Sequence, residues 1–430
     1  MCARRRTDCR DDIHGTGRRF PATLAGFEAT RTELNATARV LIEHLQRLRD
    51  WRRLPAEVRA RYGRDRNRRL NEDPGIPTSV AATVGWLCRA QDESSTSDGG
   101  VARHYSIIDG WGASYPETTG YIIPTLLDYA KSTGQSDVAD AARRMLDWLV
   151  AIQLQDGAFQ GGTITDRPVA PTTFNTGQIL MGLSHGSTEF GEPYTTAMHR
   201  AASWLAECQD QDGCWRKNQS PFARAGDKTY ETHTAWGLLE ASRASGNASY
   251  GEAALRNVHW ALGKQSPNGW FADCCLTDPV LPLTHTLGYA LRGIIEGYLY
   301  SQDKKLLQAA CLSADGLLET VRRDGFIPGR LDKNWRAAVD WCCLTGSVQI
   351  AHCWLQLFSE TGKQQYLDAA RMVNQYVRRT VDFDEQAGTH GAIRGSFPIY
   401  GEYGQNQYLN WAAKFFVDAN LLEESIVSTR

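Results

Sequence analysis

The sequence predicts an all-α fold, an (α/α)6 toroid of six helical hairpins with an N-terminal helical, Arg-rich extension. Three observations carry this prediction. Tryptophans recur at a step of 56 residues, at Trp148, Trp204 and Trp260. Turn-forming Asp-Gly or Asn-Gly dipeptides recur at the same step and begin at Asp156, Asp212, Asn268 and Asp324. A short signature opens a second apolar run in each of six copies. Self-similarity at a fixed period is the mark of a repeat architecture.

Each copy reads in the same order: an apolar helical run, a turn, a polar loop with an aromatic residue, and a second apolar run. The dipeptides predict turns because Gly tolerates a positive φ. Thr or Asn before the second run predicts a helix N-cap. The second runs are ETTGYII, FNTGQIL, THTAWGLL, THTLGYAL, CLTGSVQI and LNWAAKFF, which begin at Glu117, Phe174, Thr232, Thr284, Cys343 and Leu409. A first run at Trp86, followed by Asp98-Gly99, completes six helix pairs.

Six antiparallel pairs bury their second, more apolar helices by closing into a ring with the first helices outside. An open solenoid is the alternative, but six units is the number at which this architecture commonly closes. Small residues near the starts of the second helices predict close packing between them, as at Gly120 and Gly177. We expect function at the face where the inner helices begin, because the longer loops after each turn meet there.

Residues 1–75 lie outside the repeat and form the predicted helical extension and linker, and residues 76–430 form the predicted toroid domain. Residues 1–70 hold 18 Arg, no Lys and 9 acidic residues, whereas residues 71–430 hold 29 basic and 40 acidic residues. Residues 32–62 carry a helical pattern with Arg on one face. We expect this arm to pack on its own acidic toroid or to contact an anionic partner. The formal net charge of −2 argues against nucleic acid as a partner of the toroid.

The composition indicates a globular protein. The chain is 42% hydrophobic and 10% aromatic, which suffices for a large core. No run approaches the roughly 18 apolar residues of a membrane span, and the first 30 residues lack the apolar stretch of a signal peptide. We therefore expect a cytoplasmic location. The 11 cysteines, an odd number spread along the chain, predict reduced and mostly buried thiols.

The repeat itself resembles known families. The segments WLVAIQLQDGAF, WLAECQDQDGCW and WALGKQSPNGWF are similar to the Q…GxW repeats of squalene cyclases and protein prenyltransferase β subunits. SETGKQQYLDAARMVNQYV, from Ser359, resembles a helix hairpin of six-hairpin sugar enzymes such as unsaturated glucuronyl hydrolases and sugar 2-epimerases. The stretch from Trp341 to Glu424 resembles uncharacterised toroid proteins of polysaccharide gene clusters. These resemblances cover residues 80–424 and imply the α/α-toroid superfamily, while the reaction stays open because a fold does not set chemistry.

A terpenoid reaction would require either a buried acid or a zinc site. A protonating cyclase needs a buried DxDD-type acid among aromatic walls, and the closest string here starts at Asp382 and reads DFDE. It follows the outer helix of the sixth copy, so we expect a solvated turn. Prenyltransferases hold Zn²⁺ with an Asp-x-Cys pair and a His. Asp340 and Cys342 have that spacing, but the matching His is missing from copy six. We expect Cys342 to be an ordinary buried residue and predict neither a metal nor another cofactor.

A carbohydrate site is indicated by the polar and aromatic residues near the inner-helix starts, because Trp stacks on sugar faces and fixed polar groups bind hydroxyls. The candidate catalytic residues are Glu117, Glu231, His233, His285, Tyr115 and Asp340. The candidate substrate-binding residues are Trp111, Asn175, Tyr230, Arg330, Trp335, Tyr400, Glu402 and Asn410. One column of the signature is polar in most copies and is expected to point at a central cavity; it comprises Thr118, Asn175, His233, His285, Leu344 and Asn410.

These residues predict an enzyme that cleaves a glycosidic bond in an oligosaccharide or sugar conjugate by acid/base catalysis. Hydrolysis needs two carboxyl groups, which Glu117 and Glu231 would supply from equivalent places two copies apart. A uronate lyase or epimerase would use a base and an acid such as Tyr115 and His233, and the sequence leaves both mechanisms open. The alternatives are a terpenoid-cyclase-like or prenyltransferase-like enzyme with a hydrophobic central cavity, and a non-catalytic toroid that binds a glycan or a partner. Both glutamates also suit the positive end of a helix without any catalytic duty.

Overall fold

The apolar runs of the repeat fold as alternating long helices in the computed structural model, which describes residues 54–429. Thirteen α-helices lie in this range, and α1 (Ala56–Arg66) precedes the repeat. The outer helices are α2 (Ile76–Asp92), α4 (Ser136–Ile152), α6 (Tyr194–Cys208), α8 (Ala248–Leu262), α10 (Lys304–Leu318) and α12 (Gln364–Arg378). The inner helices are α3 (Pro116–Thr133), α5 (Thr173–Phe190), α7 (Thr232–Ser245), α9 (Thr284–Ser301), α11 (Leu344–Thr361) and α13 (Asn410–Ser428). The predicted six helix pairs are confirmed.

The ring closes between its first and last copies. Each inner helix packs on the next, and α13 packs on α3 and α2. Five short strands lie in the loops: β1 (His104–Ser106), β2 (Gly110–Trp111), β3 (Cys342–Cys343), β4 (Ser396–Phe397) and β5 (Gln407–Leu409). β1 pairs antiparallel with both β2 and β5, with Tyr105 opposite Tyr408, while β3 pairs with β4. The loops before α3 and α13 are therefore joined by backbone hydrogen bonds, which excludes an open solenoid.

The two faces of the toroid differ in the length of their connections. An inner helix is followed almost at once by the next outer helix, with Gly134, Gly246 and Gly362 in the left-handed conformation that ends three inner helices. An outer helix is followed by a long loop, such as 93–115 or 209–228, before the next inner helix begins. The long loops thus gather at the face where the inner helices begin, as the sequence predicted.

The 56-residue period reflects a contact that each turn makes with the next outer helix. Gln209, after α6, donates from Nε2 to the carbonyl oxygens of Gly213 in its own turn (3.1 Å) and Ala253 on α8 (2.8 Å). Gln153 and Gln265 make the equivalent pairs of bonds. The turn glycines have positive φ, and the next outer helix passes directly against them. The repeat therefore encodes the spacing between successive outer helices.

Small residues let the inner helices approach one another closely. A Cβ on Gly177 would lie 2.8 Å from the Cα of Thr234 on the neighbouring inner helix. The tryptophan column has a different role: Trp148 is 7% exposed, and its ring packs on Gly100 in the loop of the preceding copy. Both observations agree with the predicted close packing of repeats.

α1 contributes to a buried ion network with the last copy. Arg61 pairs with Asp382, and Arg394 pairs with both Asp65 (3.0 Å) and Asp382 (2.8 Å). Burial alone would raise the pKa of Asp382, but Arg394 and Arg61 hold it below its ordinary value. The expectation that the DFDE string is a solvated turn is wrong at Asp382, whose side chain is 13% exposed, because two arginines compensate its buried charge. Asp382 therefore has a structural role, because both of its ion pairs hold the fold together.

Residues 60–75, which we expected in the extension, belong to the same compact unit as the toroid, Ala60–Arg430. The helix predicted over residues 32–62 lies outside the described residues except for its last part, where α1 begins. None of the described helices is long and apolar enough to cross a membrane. The nine cysteines between residues 54 and 429 are free thiols.

Candidate active site

A cavity of about 340 Å³ lies where the inner helices begin. Seven aromatic side chains wall it: Tyr115, Phe174, Phe222, Tyr230, Tyr289, Tyr403 and Trp411. The inner helices add Glu117, Asn175 and His285, and the loops add Arg103 and Asp166. Aromatic faces interleaved with a few fixed polar groups are typical of a site that orients a small organic ligand.

Glu117 is a buried carboxyl group on this wall. It lies in the first turn of α3, is 8% exposed, and accepts a 2.8 Å hydrogen bond on Oε2 from the hydroxyl of Tyr115. Burial raises the pKa of Glu117 to about 7, against the opposing effects of the Tyr115 hydroxyl and the Arg103 charge. Near neutral pH the group is therefore present both as acid and as carboxylate, as a proton-transfer residue requires.

Glu231 lies deeper than Glu117. It occupies the N-cap position of α7, is 1% exposed, and accepts a 2.6 Å hydrogen bond from Oγ1 of Thr234. Burial raises the pKa of Glu231 to about 7, and the charge of Glu117 contributes to the rise. The two carboxyl groups that the sequence paired thus influence each other electrostatically. Of the two, Glu117 lines the cavity and Glu231 does not.

Two histidines repeat one arrangement on neighbouring inner helices. Nδ1 of His285 lies 2.8 Å from Oε1 of Gln349, and Nδ1 of His233 lies 2.5 Å from Oε1 of Gln178. An amide oxygen can only accept, so each Nδ1 carries the proton and each Nε2 keeps its lone pair. Burial lowers the pKa of His285 to about 4 and that of His233 well below its ordinary value, so both rings are neutral at pH 7. His285 lines the cavity, whereas His233 is fully buried and does not; both rings pack against Tyr289, with 4.3 Å and 4.2 Å between ring centroids.

Arg103 is a cavity residue that sequence reasoning missed. It lies in the loop just before β1, and its guanidinium is 5.1 Å from the ring centroid of Trp411 and 6.0 Å from that of Tyr115. It is the only Arg or Lys side chain that the described residues contribute to the cavity wall. No repeat column or motif marks this position, so the sequence held no signal for it.

Asp166 and Phe222 come from two adjacent loops and were also missed. Oδ2 of Asp166 accepts a 2.7 Å hydrogen bond from the backbone N–H of Thr163. Phe222 is 60% exposed and lies beside Gly162, where an added Cβ would lie 2.9 Å from the Phe222 ring. An exposed aromatic ring beside a polar cavity offers a stacking surface for a sugar ring.

Comparisons with known proteins agree with this architecture. Residues 115–295 match the family model of the squalene-hopene cyclase C-terminal domain, which is less than half of the chain. No curated protein matches the sequence. Among solved structures, an unsaturated glucuronyl hydrolase specific for heparin is similar with a TM-score of 0.66 and 16% identity, over 82% of this chain and 98% of that one. The protein is an α/α toroid.

Two further structures share the toroid. A sugar epimerase from a ruminal bacterium superimposes with a TM-score of 0.66 and 12% identity, over 80% of this chain and 97% of that one. A D-mannose isomerase superimposes with a TM-score of 0.64 and 11% identity, over 82% of this chain and 97% of that one. At such identities the likeness establishes the fold of this toroid and leaves its reaction to be argued from the site.

The toroid brings part of the predicted substrate site together. Asn175, in the first turn of α5, lines the cavity, as does Tyr230 from the 3₁₀ turn Thr229–Glu231 ahead of α7. The Tyr230 ring packs edge-on against Phe174, with 5.3 Å between ring centroids. Tyr115, Glu117 and these two residues therefore form a continuous patch contributed by the first three copies.

Predicted charged residues from the fifth and sixth copies lie elsewhere. Asp340 is 85% exposed at its side chain and pairs with Arg68 at 2.9 Å. Arg330 pairs with Glu402 at 2.9 Å, and neither lines the cavity. Their assignment to the site is not supported, because each finds its partner among the surrounding loops.

Three predicted aromatic residues also pack against protein. Trp335 meets Trp270 edge-on, with 5.1 Å between ring centroids. The ring centroids of Trp111 and Trp86 are 5.5 Å apart. The ring centroid of Tyr400 is 5.1 Å from that of a tyrosine on α1. None of the three lines the described cavity, because each ring faces a neighbouring ring of the fold.

The signature column points at the cavity in two of its six copies. Asn175 and His285 line the wall, but Thr118, His233, Leu344 and Asn410 are fully buried and do not. Asn410, for example, donates from Nδ2 to Oγ1 of Thr118 at 2.8 Å. The expectation of one converging column is therefore wrong for four copies, because there the side chain turns towards the protein interior instead of the cavity.

The Asp-x-Cys string divides between two environments. Asp340 faces solvent, while Cys342 is fully buried with its Sγ 3.2 Å from Oγ of Ser347. Burial raises the pKa of Cys342 to about 11, so the thiol is protonated at neutral pH. The prediction of a buried Cys342 is confirmed. Within residues 54–429, no three His, Cys, Asp or Glu side chains are grouped to hold a metal ion.

Proposed function

We propose that this toroid is a carbohydrate-active enzyme that cleaves a glycosidic bond in an oligosaccharide or sugar conjugate. One observation carries the proposal: Glu117, with a pKa raised by burial to about 7, lies on the wall of a cavity whose other side chains are mainly aromatic, with a few polar and charged groups among them. A carboxylic acid that keeps its proton near neutral pH is what assisted departure of a glycosidic oxygen needs. The sugar enzymes that share the fold support this proposal.

Glu117 is assigned the role of general acid, with Tyr115 holding it by a hydrogen bond. Asp166 supplies the second carboxyl group that hydrolysis requires, because it lines the same cavity and Glu231 does not. Its side chain stands at the loop-built rim, where it would activate water or attack the anomeric carbon. This pairing replaces the Glu117 and Glu231 pair expected from the sequence.

The remaining wall groups bind the substrate. His285 presents an unprotonated Nε2, and Asn175 presents an amide, so both suit sugar hydroxyls. Arg103 adds a positive charge, which favours a substrate with an acidic group. In a lyase or epimerase the same neutral imidazole would accept the proton from carbon.

Turnover of an oligosaccharide panel, with products read by mass and by sugar stereochemistry, tests the proposal. A product that has gained water marks a hydrolase, an unsaturated product of unchanged total mass marks a lyase, and an isomer of the substrate marks an epimerase. We expect E117Q and D166N each to lower kcat/KM by about 10²-fold or more. The matched control D340N removes an exposed carboxylate and should keep full activity. Full activity of E117Q would contradict the assigned acid.

The terpenoid alternative draws on a separate observation, the family match over residues 115–295 together with the seven aromatic side chains of the cavity. Aromatic faces stabilise carbocations. Against it stand the polar groups that share the same wall, Glu117, Asn175 and His285. Cyclisation of a linear polyprenoid by the purified protein, without turnover of any sugar, would replace the carbohydrate proposal with this one.

A further inference from the structure

The long loops at the face where the inner helices begin form a closed collar around the mouth of the candidate active site. The six loops are 93–115, 153–172, 209–231, 263–283, 319–343 and 379–409. Each is joined to the next by a backbone hydrogen bond, made by the loop itself or by the first residue of the inner helix that follows it. The six bonds, written from donor to acceptor, are Ile164 to Ser114, Thr173 to Asn218, Arg224 to Leu276, Thr284 to Gly329, Leu344 to Gly395 and Ile107 to Asn406. The collar therefore has no gap through which a chain could lie across the site.

The side chains of the cavity wall differ in depth. Five of the six loops contribute to the wall, and only the loop 319–343 does not. Phe222 is 60% exposed and is the only exposed side chain that the described residues contribute to this wall. Glu117, Asn175 and His285 are each buried on the same wall. Phe222 therefore marks the mouth of the cavity, and the polar groups lie below it.

Buried aromatic side chains close the floor of the cavity. The ring of Tyr289 packs against those of His285, His233 and Phe415, with 4.3 Å, 4.2 Å and 5.9 Å between ring centroids. A second cavity of about 680 Å³ lies among the later turns of the six inner helices, and it shares no lining residue with the first. The candidate active site is therefore a blind pit that opens at one end of the ring only.

The volume of the pit limits how much of a substrate can enter. Its 340 Å³ is close to the lower limit of the roughly 300–1,000 Å³ that small-molecule sites occupy. This space suits a terminal sugar with little of the chain that follows it. An internal segment of a chain needs two exits, one for each direction of the chain. Because the collar is continuous and the floor is closed, the pit provides a single exit.

We propose that the enzyme cleaves only at a chain end, with the terminal sugar inside the pit and the rest of the chain leaving past Phe222. This inference rests on the proposed glycosidase function and adds the class of bond on which that function acts. Glu117 lies on the wall of the pit, so an internal bond held outside the collar would not reach its carboxyl group. The exposed ring of Phe222 is placed to stack on the first sugar outside the pit.

The labelled products of the first turnovers test this inference. The probe is the longest linear oligosaccharide of the panel that the full-length enzyme cleaves, labelled at its reducing end with 2-aminobenzamide. Labelled chains are separated by length while only a small fraction has reacted. Entry of the non-reducing end gives a single labelled product, shortened by one released unit. Entry of the reducing end gives one short labelled product, or none where the label blocks the pit while the unlabelled chain is still cleaved.

Labelled fragments of every length in the first samples would overturn the inference, because they arise from cleavage of internal bonds. That result would leave the proposed glycosidase function intact. No turnover of any sugar in the panel would contradict the glycosidase function, and the chain-end inference would fall with it. The two failures therefore give different results.

A variant of Phe222 tests the exit path of the chain. F222A removes the stacking surface at the mouth and should raise KM for the long oligosaccharide about 5- to 10-fold, with a smaller rise for the shortest substrate that is cleaved. The matched control L312A removes a side chain that is 40% exposed on the outer helix α10, and it should keep the KM of the unaltered protein. An unchanged KM in F222A, or an equal rise in L312A, would show that the chain does not leave past Phe222.

Discussion

At the scale of single residues, burial decides the chemistry of the candidate active site. Glu117 and Glu231 are both buried, and burial raises the pKa of each to about 7. His285 is shifted in the opposite sense, with its pKa lowered to about 4, because the same loss of solvent disfavours its charged form. The site therefore holds a proton on a carboxyl group while it keeps an imidazole neutral. This distribution reverses the one that the free side chains have in water.

Loss of the Tyr115 hydroxyl should move the pH dependence of catalysis. The hydroxyl donates to Glu117 and favours its charged form. Y115F should therefore raise the pKa of Glu117 above about 7. Since a general acid must be protonated, the fall in kcat/KM on the alkaline side should move to higher pH. A pH profile measures this shift. Y194F, which removes a hydroxyl bonded to Asp147 on an outer helix, is the control and should leave the profile in place. A shift of the alkaline limb to lower pH in Y115F would contradict the assignment.

Replacing the deeper carboxyl group should stabilise the protein in alkali. The pKa of Glu231 rises from 4.5 to about 7 on folding, so between these pH values the folded state binds more protons than the unfolded state. The free energy of unfolding therefore falls as pH rises through this window. E231Q cannot ionise and should be more stable than the unaltered protein at pH 8 by on the order of 2–3 kcal/mol, with the gap closing towards pH 4.5. Urea unfolding measures it.

The control for that experiment is E207Q, because Glu207 is exposed on α6. Its free energy of unfolding should follow that of the unaltered protein at every pH. If E231Q were less stable than the unaltered protein at pH 8, the carboxylate would be stabilising the fold and the assigned burial cost would be wrong.

At the scale of elements, the repeat sets the distance between successive outer helices. The glutamine that follows α4, α6 and α8 binds both its own turn and the next outer helix, as Gln209 does with Gly213 and Ala253. The glycine of the turn has a positive φ, 96° at Gly213, and the backbone of the next outer helix passes close to it. The 56-residue step therefore has a physical origin in one recurrent contact.

The turn glycine should be far less replaceable than other glycines of similar φ. A Cβ on Gly213 would lie 2.5 Å from the carbonyl oxygen of Arg256, whereas Gly246 has a φ of 71° with nothing within 4 Å. G246A should cost about 1–2 kcal/mol for the left-handed conformation alone. G213A should cost clearly more, about 3 kcal/mol or above, because a steric clash is added. Urea unfolding of the two variants checks this, and equal losses would show that the contact with α8 carries no weight.

At the scale of the whole molecule, closure of the ring makes the two end cavities. Strand β1 before the first inner helix pairs with β5 before the last one, and Asn410 bonds Thr118 across the same seam. The buried network of Arg61, Asp382 and Arg394 ties α1 to the last copy beside it. One end then carries the long loops and the candidate active site, and the other carries a second cavity of about 680 Å³, lined by residues of all six inner helices.

Removing the central carboxylate of that network should destabilise the whole fold. Asp382 compensates two arginines whose side chains are each 7% exposed. D382A should cost about 3–5 kcal/mol, the usual result of removing one partner from a buried ion pair, because Asp65 and Asp384 then remain as the other acidic partners of Arg394 and Arg61 and only partly compensate them. R68A, which breaks the exposed pair with Asp340, is the control and should cost less than about 1 kcal/mol. Comparable losses in the two variants would contradict the structural role given to the network.

The predicted site residues that the structure brings to one cavity are those that lie on the repeat. Tyr115, Glu117, Asn175, Tyr230 and His285 stand at or next to the starts of inner helices, and the structure places all five on one cavity wall. Their positions follow from the period because each inner helix begins at the same face. Glu231 also stands at the start of an inner helix, yet it does not line the cavity. The repeat period fixes the position of a residue along the ring axis, but it does not fix the direction of the side chain.

The amino-acid sequence by itself determined the helices, their pairing, the closed ring and the face where the long loops and the candidate site lie, because these depend on local periodicity and on turns that recur. Tertiary structure alone decided what enters the cavity. Arg103, Asp166 and Phe222 come from loops without periodic pattern, and Asp340 is drawn away by Arg68. Loop paths and the rotation of each inner helix depend on contacts between residues far apart in the chain. The 56-residue repeat does not encode these contacts.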